Sequence, residues 1–154
     1  MPSGDRIYKK ALNEALKNEP DYELVTALLN KAFNLGSPEA AYALGTWYFH
    51  GHILKKNIKK GIQYWRIAAA DNVPSALFDL GISFERGVGV KQSDKKAFEY
   101  YMRAALEGHK QAIYEVGRCY FYGIGIQKNR TLSFIWLDKA RELGVEEDDE
   151  KEDL

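Results

Sequence analysis

Histidine and cysteine are the side chains here that most readily bind metals or attack substrates, and the sequence holds three histidines and one cysteine. His50 and His52 lie two residues apart and could supply half of a zinc site, but such a site needs three or four ligands. Only His109 and Cys119 remain elsewhere. A nucleophilic cysteine also needs a nearby base and a lowered pKa, which no spacing indicates. We therefore predict no metal site, no cofactor and no catalysis, with Cys119 as a packing residue.

Two glycine-rich stretches, GVGV at 87–90 and GIGI at 123–126, superficially resemble nucleotide-binding loops. Those loops follow a strand and open a helix, so that backbone N–H groups and the helix N-terminus hold the phosphate. Both neighbours of each stretch have a helical apolar pattern here. We interpret the two stretches as structural turns.

A run of lysines straddles a predicted helix start: Lys55, Lys56, Lys59 and Lys60. Cations oppose the helix macrodipole there, which leaves open an anionic partner such as nucleic acid. The chain has no nucleic-acid motif, so we interpret these lysines as a solvated loop and convex edge. No nucleic-acid partner is expected.

The helices that carry these residues recur with a period of 36 residues, which is typical of a solenoid. Small residues recur in phase: Gly45, Gly81 and Gly117; Gly51, Gly87 and Gly123; Ala40, Ala76 and Ala112; Ala68, Ala104 and Ala140. Glycine inside a helix costs about 1 kcal/mol relative to alanine, so its recurrence predicts a closely packed partner helix. Asn57, Ser93 and Asn129 are predicted N-caps, and Gly87 and Gly123 predicted left-handed helix ends.

The repeated unit resembles the Sel1-like repeat family, whose pattern runs A-x-x-x-LG-x-x-Y-x-x-G-x-GV and, after a polar cap, A-x-x-W-Y-x-x-AA-x-x-G. The middle copy carries the resemblance through Ala76, Leu80, Gly81, Phe84, Gly87, Gly89, Val90, Ala97, Tyr100, Tyr101, Ala104, Ala105 and Gly108. The resemblance implies an all-α fold, a right-handed α/α solenoid of tetratricopeptide-like helix-turn-helix repeats with about eight helices. Its first helices are expected to line the concave face.

We expect one domain over 1–145, divided into a degenerate N-terminal cap at 5–38 and regular repeats at 39–74, 75–110 and 111–145. The segment 146–154 holds seven acidic residues and one lysine, and we predict a disordered tail. Because no capping helix follows the last repeat, Leu132 and Ile135 are expected on an uncovered edge, which could be covered by another copy or a partner.

In the first helices, a second stripe beside the packing positions is rich in aromatic and arginine side chains, which are common at interface hot spots. The predicted partner-binding residues are Tyr42, Phe49, His50, Phe78, Glu85, Arg86, Tyr114, Arg118, Phe121 and Tyr122. Thr46 and Ile82 complete the stripe. If the curvature is tight, these side chains pack against one another instead.

The function expected from the resemblance is that of a non-catalytic protein–protein interaction module, binding its partner through the concave face. Adaptors, regulators and toxin-neutralising immunity proteins are the roles considered, with a toxin or other basic protein as one kind of partner. An enzyme or small-ligand binder with its site in the groove is the alternative.

A single cysteine precludes an internal disulfide, and no apolar run approaches the roughly 18 residues of a spanning helix. We therefore expect a cytoplasmic protein without a membrane partner.

Overall fold

The computed structural model describes residues 3–145, and this part of the chain consists of eight α-helices without strands. The helices are α1 (Gly4–Ala15), α2 (Tyr22–Asn34), α3 (Pro38–His50), α4 (Ile58–Ala70), α5 (Pro74–Arg86), α6 (Asp94–Leu106), α7 (Lys110–Tyr122) and α8 (Arg130–Glu142). The predicted all-α fold of eight helices is confirmed. The acidic segment 146–154, predicted to be a tail, lies outside the described residues.

The second helix of each regular hairpin begins at a side-chain cap. Asn57, Ser93 and Asn129 accept hydrogen bonds from the backbone N–H three residues later, at 3.1, 3.2 and 2.9 Å. These bonds satisfy one of the backbone donors that have no partner within the helix. The predicted caps are confirmed, and Asp21 caps α2 in the same way.

The first helix of each regular hairpin ends at a glycine in the left-handed region. Gly51, Gly87 and Gly123 have φ values of 72°, 69° and 74°. A side chain is costly in this conformation, so glycine is favoured there. The predicted left-handed ends at Gly87 and Gly123 are confirmed, and each directs the chain into the turn before the next helix.

Within a hairpin the two helices approach closely at the recurring glycine of the first helix. A Cβ atom at Gly81 would lie 2.6 Å from Cδ1 of Tyr101, and one at Gly45 would lie 2.6 Å from Cδ1 of Trp65. Both distances are too short for a real contact. The glycines therefore make room for large aromatic side chains of the second helices, which fill the space between helices.

Each hairpin packs through its second helix on the first helix of the next hairpin, so that α2 contacts α3, α4 contacts α5 and α6 contacts α7. The core forms two clusters of buried side chains, a smaller one among α1, α2 and α3 and a larger one from α3 onward. Phe33 and Tyr64 pack against both clusters, with their ring centroids 5.1 Å apart. The chain is therefore a continuous α-solenoid.

The outer face of α8 exposes apolar side chains. Phe134 is 55% exposed, whereas the residues at the same repeat position, Phe98 in α6 and Ile62 in α4, are 9% and 4% exposed because the following hairpin covers them. Leu132 and Ile135 are also exposed, as predicted. Self-association through this face stays a prediction.

Candidate functional site: the groove between α5 and α7

Neighbouring first helices α5 and α7 enclose a groove of about 490 Å³. Its floor and walls come from both helices and from one side chain of α6. The lining residues are Ile82, Glu85, Arg86, Tyr101, Gln111, Tyr114, Glu115, Arg118 and Tyr122. Five predicted partner-binding residues therefore lie together here: Glu85, Arg86, Tyr114, Arg118 and Tyr122. We call this site the α5–α7 groove.

A charged network centred on Arg118 crosses the groove. Its Nη2 lies 2.7 Å from both carboxylate oxygens of Glu85 in the preceding repeat, and its Nε lies 2.6 Å from Oε2 of Glu115. The hydroxyl of Tyr101 donates to Glu85 Oε2 at 2.6 Å. Glu85 therefore joins α5 to α6 and to α7, and the groove walls are held in one arrangement.

The network fixes the protonation state of its members. Burial raises the pKa of the Glu85 carboxyl, but hydrogen bonds from Arg118 and Tyr101 outweigh burial and hold that pKa below its usual value. Burial lowers the pKa of Arg118, yet the two carboxylates outweigh it, so the pKa is raised. Burial and the Glu85 carboxylate raise the pKa of the Tyr101 hydroxyl. Near neutral pH these groups form a set of fixed charges and donors.

One repeat earlier, α3 and α5 are joined by a different polar pair. The Tyr42 hydroxyl donates to Oδ2 of Asp79 at 2.7 Å. Burial raises the pKa of the Asp79 carboxyl, although the bond from Tyr42 and the charge of His50 oppose this. Burial and the Asp79 carboxylate raise the pKa of Tyr42 in turn. A tyrosine–carboxylate hydrogen bond thus links the first regular repeat to the second, and the Glu85–Arg118 ion pair links the second to the third.

Three of the predicted partner-binding aromatics are half-buried and packed within the chain. Phe49 stacks on Trp65 with ring centroids 4.5 Å apart, and Tyr42 also stacks on Trp65, with ring centroids 6.4 Å apart. Phe78 stacks on His109 at 4.4 Å. These rings pack against the larger core cluster and are only partly accessible.

The other predicted residues differ in accessibility. His50, Arg86 and Tyr122 are exposed, with Tyr122 at 64%. Phe121 is half-buried, and the guanidinium of Arg130 lies 3.8 Å from its ring centroid. Arg86 and Tyr122 are therefore the predicted partner-binding residues that line the α5–α7 groove and are exposed.

The stripe described from the sequence does not include Tyr101, Gln111, Glu115 or Asp79. Glu115 and Asp79 occupy the same repeat position, where the first regular repeat has Ala43. A carboxylate in the middle of a first helix, three residues before Arg118 in one copy, is the signal that identifies Glu115. Tyr101 had no such signal, since its ring packs against Gly81 and only its hydroxyl reaches the groove.

The remaining candidates for chemistry lie apart from the groove. Cys119 is fully buried, and burial raises the pKa of its thiol to about 12, which confirms its packing role and disfavours a thiolate. The rings of His50 and His52 have centroids 5.7 Å apart. Within residues 3–145, no three histidine, cysteine or acidic side chains cluster in a way that could hold a metal ion. No helix in that range is both long and apolar enough to cross a bilayer.

The fold and its repeat geometry define an α-solenoid of helix hairpins. Residues 38–73, 74–109 and 110–145 each match the Sel1 repeat, which covers more than half of the chain. The chain belongs to the Sel1 repeat family. Repeats of this family form protein-interaction modules. A comparison with curated proteins finds no match.

Solved structures share the fold. A protective antigen of uropathogenic Escherichia coli is 23% identical with a TM-score of 0.87, over 94% of this chain and 31% of that chain. A Sel1 repeat protein from Oxalobacter formigenes is 30% identical with a TM-score of 0.80, over 93% and 42%. An immunity protein from Pseudomonas aeruginosa is 23% identical with a TM-score of 0.64, over 94% and 55%. The chain thus spans less than half of the first two proteins and about half of the third.

Proposed function

We propose that this chain is a non-catalytic recognition module that binds a partner protein through its first-helix face, with the α5–α7 groove at the centre of the contact. The observation that carries the proposal is the fixed groove with Arg86 and Tyr122 exposed at its rim. Arginine and tyrosine are enriched among hot-spot residues, and a preformed site loses little conformational entropy on binding. The half-buried aromatics Tyr42, Phe49 and Phe78 would provide the apolar surroundings.

The charges of the groove indicate the chemistry of the contact. Glu85 and Glu115 occupy both sides of the Arg118 guanidinium. The role of Arg118 is therefore to hold these two carboxylates in position. Arg86 is exposed and leaves a positive charge at the rim. A partner segment that carries an acidic side chain next to an apolar one would match Arg86 and Tyr122.

A toxin-neutralising role is the more specific form of this proposal. It is supported by the likeness to the Pseudomonas aeruginosa immunity protein, which shares the fold over most of this chain. Sequence identity of 23% supports the fold and leaves the partner open. An adaptor or regulator would use the same face with another partner.

A small-ligand site is the second candidate, because a volume of about 490 Å³ lies within the range of ligand pockets. The polar groups on the groove floor, however, are already paired with one another, and a catalytic acid or base needs a pKa near the working pH. The network holds Glu85 charged and Tyr101 protonated, which favours recognition over acid–base chemistry.

Affinity capture with matched baits tests the proposal. Wild-type protein, Arg86→Ala/Tyr122→Ala and the control Glu99→Ala would be immobilised and exposed to lysate of the native host. Glu99 is exposed on α6, away from the groove lining. The proposal expects a protein that wild type and the control capture and the groove variant loses. A protein captured equally by all three baits would contradict binding at this groove.

A further inference from the structure

The turns inside the three regular hairpins carry an unusual excess of positive charge. These turn segments, 51–60, 87–96 and 123–132, occupy the same repeat positions and contain nine cationic side chains but only one carboxylate, that of Asp94. The nine are Lys55, Lys56, Lys59, Lys60, Lys91, Lys95, Lys96, Lys128 and Arg130, and all are exposed. The corresponding segment of the first hairpin, 15–24, has one lysine and three acidic residues. The excess of positive charge in the turn segments is therefore found only in the three regular hairpins.

The three turn segments lie side by side. A Cβ atom at Gly89 in the second turn would lie 2.6 Å from Cγ2 of Ile58, at the start of α4. Gly125 in the third turn packs in the same way against the backbone carbonyl of Asp94, at the start of α6. The cations of successive turns therefore belong to one continuous surface, which we call the basic edge.

The charges of the basic edge are not neutralised within the described part of the chain. The salt bridges of residues 3–145 involve other side chains. Asp94 instead accepts a hydrogen bond from Gln92 at 2.7 Å. Lys60 and Lys96 lie over aromatic rings, 4.5 and 5.3 Å from the centroids, and remain exposed. Such a surface attracts an extended anionic partner.

In each turn, one of the three residues that follow the left-handed glycine is an exposed aliphatic side chain, which we call the aliphatic tip of that turn. Ile53, Val88 and Ile126 are 50%, 36% and 36% exposed. Lysines follow within a few residues of each tip in the first two turns, and Lys128 follows Ile126 in the third. Exposed aliphatic side chains with lysines close by are suited to a partner surface that has a charged outer layer and an apolar layer beneath it.

We propose that the basic edge binds the surface of an anionic lipid bilayer. Lysine ammonium groups would lie among the phosphate headgroups, and Ile53, Val88 and Ile126 would enter the boundary with the acyl chains. Nucleic acid fits less well, because the three turn segments contain no Phe, Tyr or Trp to stack on bases and only one arginine. The sequence-based expectation of no membrane partner rested on the absence of a spanning segment, and contact with a bilayer surface needs none.

Co-sedimentation of the full chain with unilamellar vesicles tests this proposal. Vesicles of phosphatidylcholine mixed with phosphatidylglycerol are expected to bind the protein, and vesicles of phosphatidylcholine alone are not. Added salt should release the protein, since exposed charges are screened over a Debye length of about 10 Å at 0.1 M salt. Lys55→Gln/Lys91→Gln should lower the affinity by roughly fivefold for each lysine removed. Its control is Lys9→Gln/Lys31→Gln, which makes the same charge change at exposed positions away from the basic edge.

The aliphatic tips are tested separately. Ile53→Ser/Val88→Ser/Ile126→Ser should lower binding to the anionic vesicles, whereas Leu16→Ser/Leu35→Ser/Leu106→Ser should not, although all six residues are exposed. Circular dichroism would show that every variant remains folded. Three results would overturn the proposal: no binding to anionic vesicles, equal losses in the variants and their controls, or tighter binding to a DNA duplex at equal phosphate concentration.

Discussion

Glu85 and Arg118 lie 33 residues apart in sequence and one repeat apart in the solenoid, and both carboxylate oxygens of Glu85 lie 2.7 Å from Nη2 of Arg118. Each side chain is about one quarter exposed. The pair lies where the first-helix face passes from one repeat to the next, so it contributes to the stability of the solenoid as well as to the shape of the α5–α7 groove.

Glu85→Gln should lower the free energy of unfolding by about 1–3 kcal/mol, because it weakens charge-assisted hydrogen bonds to Arg118 and Tyr101. The pKa of Glu85 is lowered in the folded state, so its stabilisation is present above the ordinary glutamate pKa and is lost as the pH falls. Urea denaturation at neutral and acidic pH measures both effects. Glu99→Gln, at an exposed position of α6, is the matched control. An equal loss of unfolding free energy in both variants would contradict the role of the network.

Asp79→Asn should have the opposite dependence on pH. Burial raises the pKa of Asp79 in the folded state, so its contribution is most favourable below about pH 4, the ordinary aspartate value, and falls as the pH rises through the folded pKa. Asparagine can still accept the hydrogen bond from Tyr42 and does not titrate. The stability of the variant relative to wild type should therefore increase from acidic to neutral pH. A difference that stays constant over this range, in thermal melts at several pH values, would be inconsistent with the raised pKa.

Gly81→Val should destabilise the chain by about 1–3 kcal/mol, since its side chain would displace the ring of Tyr101 from the contact between α5 and α6. The comparison variant is Gln63→Val, which places the same β-branched side chain at an exposed helix position in α4. Denaturant midpoints measure both. Equal midpoints for Gly81→Val and wild type would refute the close approach of the two helices.

The repeat pattern made the fold predictable, because each glycine, cap and alanine recurs at a fixed spacing and has one structural cause. The glycines at 81 and 87 illustrate this, since one makes room for an aromatic ring and the other takes a left-handed conformation. The Sel1-like resemblance rested on these residues, and three matched repeats confirm it.

The candidate site was less predictable, because its side chains interact across repeats. The sequence placed Phe49 and Arg118 on the same stripe, yet Phe49 packs on Trp65 whereas Arg118 pairs with two carboxylates. Which neighbour a side chain meets depends on the contact between hairpins, and one sequence does not specify it. Glu115 was the exception that alignment of the repeats could have identified.

Calorimetric titration of the captured partner into groove variants tests the central claim most directly. Tyr122→Ala is expected to weaken binding by on the order of 2 kcal/mol. Arg86→Ala should also weaken binding, and this loss of affinity should become smaller as salt is added. Glu99→Ala and Lys31→Ala, both at exposed positions outside the groove, should bind like wild type. If the groove variants bind like wild type while either of these controls fails, the partner binds another surface and the proposed recognition by the first-helix face is wrong.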